Sequence, residues 1–496
     1  MTEALALLGS GLALALDPGH LLLCLIGVTL GTLVGVLPGL GPVATIALLL
    51  PITFSLPPAG AMIMLAGIYY GAQYGSSTTA ILMRVPGEAS GVVTAQEGHL
   101  LARSGRAGPA LGIAALASLV GGVVAALVLA VLLVPIARFA VAFGPAETAA
   151  LMLLGVAAAV ALSPSPLLAA WALAAFGGLL GLVGTDVAGG RPRFTFGVPE
   201  LADGIGFIPL AMGLFGVAEL IRALDRGDAE RRIGPAGSPW PRRADLVKAS
   251  GPALRGSVIG SAVGLLPGAS TLLAALAAQA AERGLFRRRG EWGRGEIAGV
   301  ASPEAANNAA AQSSFAPLLA LGLPANAVMA VLAGAMFLQG IAPGPAVVAE
   351  RPELIGAILV SMLIGNAMLV ALNLPCVGLW AAVLRLPMRL LAAIVLVLCC
   401  AGLWASTASV FDLWLLFCFG LLGWGLLRSG LDPTPVLIGF VLAAPFEEAL
   451  RRALVLSRGD WSVFVTEPPS VALLLAVLAV TGTTCWLRMR GRPPAG

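Results

Sequence analysis

GVTLGTLVGVLPG, from Gly27 to Gly39, is matched 229 residues later by GSVIGSAVGLLPG, from Gly256 to Gly268. Each stretch places glycine at every fourth position, Gly27, Gly31, Gly35 and Gly39 in one and Gly256, Gly260, Gly264 and Gly268 in the other, with Pro38 or Pro267 before the last. With 63 glycines in 496 residues, a five-residue coincidence of this kind at any offset has a chance of roughly 1%. Two further pairs follow in order. GSSTTAILMRVPG (Gly75 to Gly87) parallels SSFAPLLALGLPA (Ser313 to Ala325), and LGIAALASLVGG (Leu111 to Gly122) parallels IGAILVSMLIGN (Ile355 to Asn366). The chain therefore reads as two related halves. The offset grows from 229 to 238 between the first and second pairs, so the second half carries 9 extra residues, which fall in the basic loop ERGLFRRRGEWGRG.

Composition sets the solvent. The chain is 58% hydrophobic and 11% charged, against roughly 25% charged in a soluble domain. Apolar runs near the ~20 residues that cross a bilayer recur along it, among them Ala110 to Leu133, Leu390 to Ala408 and Val471 to Leu487. These features predict an all-α polytopic membrane protein of roughly 10–12 membrane segments. Met1 to Ala15 lack a basic n-region and a small-residue cleavage pattern, which predicts an interfacial helix rather than a signal peptide. The net charge of +4 sits in a few arginine-containing loops, an orientation signal rather than a nucleic-acid footprint. The six cysteines, Cys24, Cys376, Cys399, Cys400, Cys418 and Cys485, lie in apolar stretches without a C-x-x-C pair, which favours buried thiols over disulfides. His20 and His99 have no partner at ligand spacing, so no metal site is expected.

Cytoplasmic loops are enriched in Lys and Arg, and here that enrichment changes sides between the halves. The inserted loop carries Arg283, Arg287, Arg288, Arg289 and Arg294, whereas its first-half counterpart, Phe54 to Gly60, is uncharged. The next first-half loop carries Arg103 and Arg106, while its counterpart, Gln339 to Glu353, has only Arg351. A swapped bias predicts two inverted-topology repeats, as in many secondary transporters. Basic residues flank the second Gly-Pro stretch on both sides, so each such stretch is expected to form a hairpin that enters and leaves by one face. Met62 to Arg84 then crosses inward, followed by crossings at 109–135, 146–162, 167–185 and 205–221. This divides the chain into an interfacial helix (1–18), a first repeat (19–224), a cytoplasmic linker (225–250), a second repeat (251–456) and a C-terminal transmembrane helix with its tail (457–496). Arg138, Arg191, Arg193, Arg451 and Arg452 fall on the outer side in this scheme.

Non-helical backbone at membrane depth occurs only where protein or a cavity surrounds it, so the Pro-Gly turns point to a site. Pro38, Gly39, Leu40, Gly41 and Pro42 form the first turn; Pro267, Gly268, Ala269, Ser270 and Thr271 form the second and add hydroxyls. Helix N-termini at such turns suit a carboxylate. A second, polar break is expected in each half, at Gln73, Gly75, Ser76, Ser77, Thr78 and Thr79 and at Asn307, Asn308, Gln312, Ser313 and Ser314, able to hold carboxylates or a coupling cation. Glycine ladders commonly serve only close packing, and hydroxyls often bond their own helix; the ladders are assigned to packing, the turns and polar clusters to substrate or cation binding. Intramembrane carboxylates are costly and functional by default, and Glu304 is the foremost. Glu88, Glu97, Asp186, Asp203, Glu219, Glu447 and Glu448 lie nearer segment ends, where water or an arginine can account for them. No H-E-x-x-H, paired-Asp motif, P-loop or G-x-S-x-G suggests an enzyme.

The chain resembles the large membrane subunit of the tripartite tricarboxylate transporters over nearly its whole length. The likeness rests on GTLVGVLPGLGP, YYGAQYGSSTTAIL, RVPGEASGVVTAQEGH, ARSGRAGPALGIAA, RFTFGVPEL, GLLPGA, SPEAANNAAA and PLLALGLP. It implies a permease of the bacterial inner membrane that works with a small membrane subunit and a periplasmic solute-binding protein. Such a system takes up citrate-like or other organic carboxylates with Na⁺ or H⁺ as coupling ion and no other cofactor. Ser270 stands where the family usually repeats a glycine, and Pro324, Ala325 and Asn326 stand where Pro-Gly-Ser is usual; both changes place polar or bulkier groups beside the expected site, Asn326 among them. The alternatives are a self-contained carboxylate symporter, a passive channel and, least favoured, a membrane-embedded enzyme.

Overall fold

The computed structural model describes all residues except 1, 38–40, 85–86, 187–188, 227–236, 269, 285–291, 384–387 and 491–496. In the first half the helices are α1 (Thr2–Ala15), α2 (Pro18–Gly35), α3 (Pro42–Phe54), α4 (Pro58–Met83), α5 (Gly91–Leu101), α6 (Ala107–Val141), α7 (Pro145–Leu162), α8 (Leu167–Gly181), α9 (Phe207–Ala211) and α10 (Ala218–Arg226). The second half runs α11 (Arg243–Gly264), α12 (Thr271–Gly284), α13 (Ala298–Ser313), α14 (Ala327–Leu338), α15 (Pro345–Glu350), α16 (Pro352–Asn373), α17 (Val377–Val383) and α18 (Met388–Thr407). It closes with α19 (Val410–Arg428), α20 (Thr434–Leu456), α21 (Val463–Thr466) and α22 (Pro468–Arg490). A two-residue β-ladder, Gly184–Thr185 with Pro192–Arg193, is the sheet among the described residues. The protein is an all-α polytopic membrane protein: seven described helices are long and apolar enough to span a bilayer, and five shorter ones are apolar.

The most completely buried helices are not among the most apolar. α4 and α13 carry the polar stretches and are missing from the apolar set, yet every residue of α4 from Gly60 to Leu82 and all of α13 are buried. They meet protein rather than lipid, which is where polar side chains at membrane depth can be satisfied.

The glycine ladders explain how these two helices are held. A Cβ on Gly27, Gly31 or Gly35 would collide with the carbonyl oxygens of Met64, Ile68 and Ala72, so α2 lies backbone to backbone and parallel with α4. Gly256, Gly260 and Gly264 stand in the same relation to Ser302, Ala306 and Ala310, which sets α11 on α13. The second set of partners follows the first by 238 residues throughout, 302 against 64, 306 against 68 and 310 against 72. The 9 inserted residues thus lie between ladder and partner without disturbing the register.

The polar stretches expected as breaks stay helical, and this is a correction. Gln73 to Thr79 are interior to α4 and Asn307 to Ser313 to α13. Their hydroxyls and amides bond back to their own turns: Thr79 Oγ1 to the Ser76 carbonyl (2.9 Å), Asn308 Nδ2 to that of Glu304 (3.1 Å) and Ser314 Oγ to that of Ala311 (2.7 Å). In the first half the chain breaks only afterwards, at Arg84 (φ 57°); in the second, α13 ends at Ser313, within the expected stretch, with Ser314 as its cap, and further helical turns run to Gly322 (φ 71°).

The loops separate into two groups. Arg106 bonds Asp245 at 2.8 Å, and buried Glu97 accepts from the backbone N–H groups of Gly293, Gly295 and Glu296 at 2.7–2.9 Å, which gathers the arginine-bearing loops together. The uncharged loop after α3 instead meets the loop after α14: Gln339 donates to the Thr53 carbonyl (3.0 Å), and Pro57, Pro58 and Ala59 share a crevice with Glu350 to Glu353. The legs of the second hairpin, α11 and α12, are joined by a two-point ion pair, Arg255 to Glu282 at 2.7 and 2.8 Å. α2 leans on α4 far more than on α3. At the N-terminus α1 packs on α16 through Gly11 and Gly356. At the C-terminus Arg488 of α22 donates to the carbonyls of Ala161, Ser163 and Ser165, closing the end of α7.

Candidate functional site

The two central helices cross with opposite sense. Ile81 and Val300 face each other across Gly98, Ser77 donates to Glu304, and Tyr69 lies beside Ser314, so α13 descends as α4 rises. At the crossing sits Glu304, fully buried. Its Oε2 accepts from Ser77 Oγ at 2.7 Å and from Ser118 Oγ of α6 at 3.4 Å, and Thr94 of α5 lies beside it. Asn308 Nδ2 donates to Ser118 Oγ at 2.8 Å, which turns that hydroxyl toward the carboxylate. Among the described residues no Lys, Arg or His forms an ion pair with Glu304. A carboxylate taken wholly out of water without a countercharge is costly unless it is neutralised.

Along α4 and α13 several buried polar atoms are left without a protein partner: Glu304 Oε1, Asn307 Oδ1, Asn308 Oδ1, Ser302 Oγ, Ser313 Oγ and both amide atoms of Gln73 and of Gln312. Buried polar atoms are normally bonded, and an unmet one costs about 1–3 kcal/mol. The crevice lined by Tyr74, Ser77, Thr78, Ser118 and Asn373 holds about 10 Å³, roughly the size of one water, so in this conformation it admits an ion and no polycarboxylate.

A second carboxylate joins the turns. Glu88 Oε1 accepts from Thr271 Oγ1, the first residue of α12, at 2.6 Å, and its backbone N–H donates to Ser76 Oγ at 2.9 Å. Gly87 presses on the carbonyl of Gly35 at the end of α2. The segment after α4 therefore stands between the two Pro-Gly turns.

Of the residues expected at the site, Ser76, Ser77, Thr271, Glu304 and Asn308 are joined by these bonds, Thr78 lines the crevice, and Gln73, Asn307 and Ser313 supply unpartnered atoms. Gly268 takes φ 83°, the left-handed turn that glycine permits, against Ala158. Gly41, Ser270 and Asn326 are caps: Thr45 Oγ1 donates to the Gly41 carbonyl (2.9 Å), and Ser270 Oγ and Asn326 Oδ1 accept from Leu273 N (3.2 Å) and Met329 N (3.0 Å). Thr79 and Ser314 bond back to their own helix turns, and Ser314 also lies beside Tyr69. Pro38, Gly39 and Leu40 lie outside the described residues.

Sequence reasoning passed over Ser118, Thr94, Tyr74 and Asn366, whose Oδ1 accepts from Tyr74 Oη at 3.4 Å. Ser118 and Asn366 are lone polar residues in apolar runs, with no pattern to mark them, while Tyr74 and Thr94 stand in polar stretches beside residues that drew the attention. It also set Glu88 among the carboxylates that water or arginine explains. That account fits four of the others: Asp186 and Glu447 pair with Arg193 and Arg451, Glu219 with Arg222 and Glu448 with Arg452, whereas buried Glu97 is held by backbone N–H groups. It does not fit Glu88, whose Oε2 is buried without a partner.

Residues 21–438 match the model of the tripartite tricarboxylate transporter TctA family. The chain belongs to the TctA family. Within this transporter family the crossing of α4 and α13 lies wholly inside the matched region. An uncharacterized 52.8 kDa protein of the TAR-I ttuC' 3' region of Agrobacterium vitis is 48% identical over 480 residues, 97% of this chain and 96% of that protein. A second uncharacterized protein of that organism, from the TAR-II ttuC' 3' region, is 48% identical over 215 residues, 43% of this chain and 89% of that protein. No solved structure matches the chain. The TctA assignment makes the protein a membrane component of a tripartite transport system.

Proposed function

We propose that this TctA protein is the integral permease of a binding-protein-dependent secondary transporter that takes up tricarboxylates or related organic carboxylates with Na⁺ or H⁺. A small membrane subunit and a periplasmic solute-binding protein complete the system in the bacterial inner membrane. The observation that carries the reading is the fully buried Glu304 at the crossing of α4 and α13, which has no ion-pair partner among the described residues and whose Oε1 is left unbonded. One cation at Glu304 cancels its charge, and a carboxylate bound beside it is then no longer repelled. Binding of each thus favours binding of the other, the coupling a symporter requires.

Two inverted-topology repeats with hairpins and broken helices form the framework of this proposal. In its support, α4 and α13 occupy equivalent places in the two ladders, 238 residues apart, and cross with opposite sense. The arginine-bearing loops gather away from the uncharged one, as opposite insertion in the membrane requires. Cysteines placed at Ser55 and Ser104, in a chain with Cys418 and Cys485 replaced, should label from opposite sides; labelling from one side would sink the inverted arrangement.

The decisive measurement is uptake of labelled citrate and smaller carboxylates into vesicles holding the chain with its small subunit. Uptake should require added binding protein and should collapse with a sodium or proton ionophore. Robust uptake by this chain alone would establish the self-contained symporter instead, and ionophore-insensitive flux would establish a channel.

A further inference from the structure

The first turn of a helix offers N–H groups without intrahelical partners and the positive end of the dipole. At the second Pro-Gly turn that end belongs to α12, a helix of 14 residues. Beside that end, whose Leu273 N–H is taken by Ser270 Oγ at 3.2 Å, lies a carboxylate of the protein itself: Glu88, which accepts from Thr271 Oγ1 at 2.6 Å.

The surroundings hold more recognition capacity than Glu88 uses. Gln73, fully buried, lies beside the carboxylate outside hydrogen-bonding geometry, with both amide atoms unpartnered. Ser90, 1% exposed, also lies beside it with its hydroxyl unpartnered, and Glu88 Oε2 is buried without a donor. Glu97 is the contrast. Its carboxylate is saturated by three backbone N–H groups, with Arg283 at 3.8 Å, and it serves to hold a loop. The carboxylate at the α12 terminus is held by one reported hydrogen bond, on the segment that bridges the two turns.

We propose that Glu88 is a built-in placeholder: in the substrate-free protein it occupies the α12 N-terminal site that receives one carboxylate of the transported anion, and it withdraws when that anion binds. The inference rests on the transport reading above and assigns the anion's position within it. Exchange of one carboxylate for another leaves the helix terminus occupied throughout. The displaced group also weakens net binding, because the site's competent state is only partly populated until Glu88 leaves, and a carrier has to release its cargo.

The test uses the purified full chain and simple carboxylates, formate and acetate, with chloride of equal ionic strength as control. Glu88→Ala should melt below wild type in chloride and recover in a saturable way with formate or acetate. Wild type, whose own carboxylate fills the site, should not respond. The double variant Glu88→Ala with Thr271→Ala should lose the recovery. If Glu88→Ala does not fold, Glu88→Gln keeps the side chain's length and should show formate stabilisation that wild type lacks. In the reconstituted transporter Glu88→Gln should lower KM severalfold. Absence of a saturable carboxylate effect in the variants overturns the placeholder, even where uptake is intact. Recovery by formate without any uptake in the complete system leaves the carboxylate site standing and removes the transport reading.

Discussion

The two glycine ladders rest on equivalent helices, yet the helices carry different chemistry at matched positions. With the 238-residue spacing of the ladder partners, Tyr69, Tyr70 and Tyr74 of α4 correspond to Asn307, Asn308 and Gln312 of α13, and Ala66 corresponds to Glu304. These are all three tyrosines of the chain. They reach into the other half: Tyr74 bonds Asn366, Tyr70 approaches the Ser361 carbonyl at 3.5 Å, and Tyr69 lies beside Asn326. The amides of α13 stay at the crossing and leave atoms unbonded. The supports differ too. Arg255 and Glu282 tie α11 to α12, whereas the positions 229 residues earlier are Ile26 and Thr53. One backbone arrangement thus carries tyrosines that bond across to the other half in one copy and amides with unbonded atoms in the other.

The largest expected effect separates the copies at their centre. Glu304→Ala should lower uptake by at least roughly 100-fold, as removal of a charged ligand group does, while Ala66→Ser at the matched position should transport within a few-fold of wild type. Comparable losses in both would mean that the crossing matters for packing alone. Next, Arg255→Ala leaves Glu282, 1% exposed at its side chain, without its partner and should destabilise the protein by about 3–5 kcal/mol. Ile26→Ala should cost less than about 1 kcal/mol, and chemical or thermal unfolding in detergent reads the difference.

The ladders should behave alike. Gly31→Val and Gly260→Val each force a side chain into a facing carbonyl and should cost about 1–3 kcal/mol or more; a strong effect at one and none at the other would show that only one ladder is a close contact. The smallest effect falls to Tyr74→Phe. It gives up the long bond to Asn366 and should lose about 0.5–1.5 kcal/mol of stability, with the cation dependence of uptake unchanged.

Much of this contrast was visible in the amino-acid order. The ladders could be read because close helix packing demands glycine at a fixed period, and a period is a property of sequence. The grouping of the basic loops could be read because arginine recurs in them, at Arg103 and Arg106, before Lys248 and in the inserted stretch. Glu304 could be read because a carboxylate in an alanine-rich run has no bland explanation. Ser118 could not, since a single hydroxyl in LGIAALASLVGG is ordinary for a membrane helix. Glu88 was given the wrong company: its place beside Arg84 and a turn suggested solvent, while the fold turns its carboxylate toward Thr271, 183 residues away.

The order of residues is enough to show that the chain is membrane-embedded and carries two glycine ladders, because composition and periodicity act locally along the chain. The packing alone shows that the polar stretch of α4 remains helical and that Glu88 lies against Thr271 at the start of α12. It also shows that α4 and α13 meet at Ser77 and Glu304. The physical reason is the same in each case: a polar side chain in a membrane is satisfied by whatever the fold brings to it, and for Glu304 and Glu88 those partners lie 227 and 183 residues away.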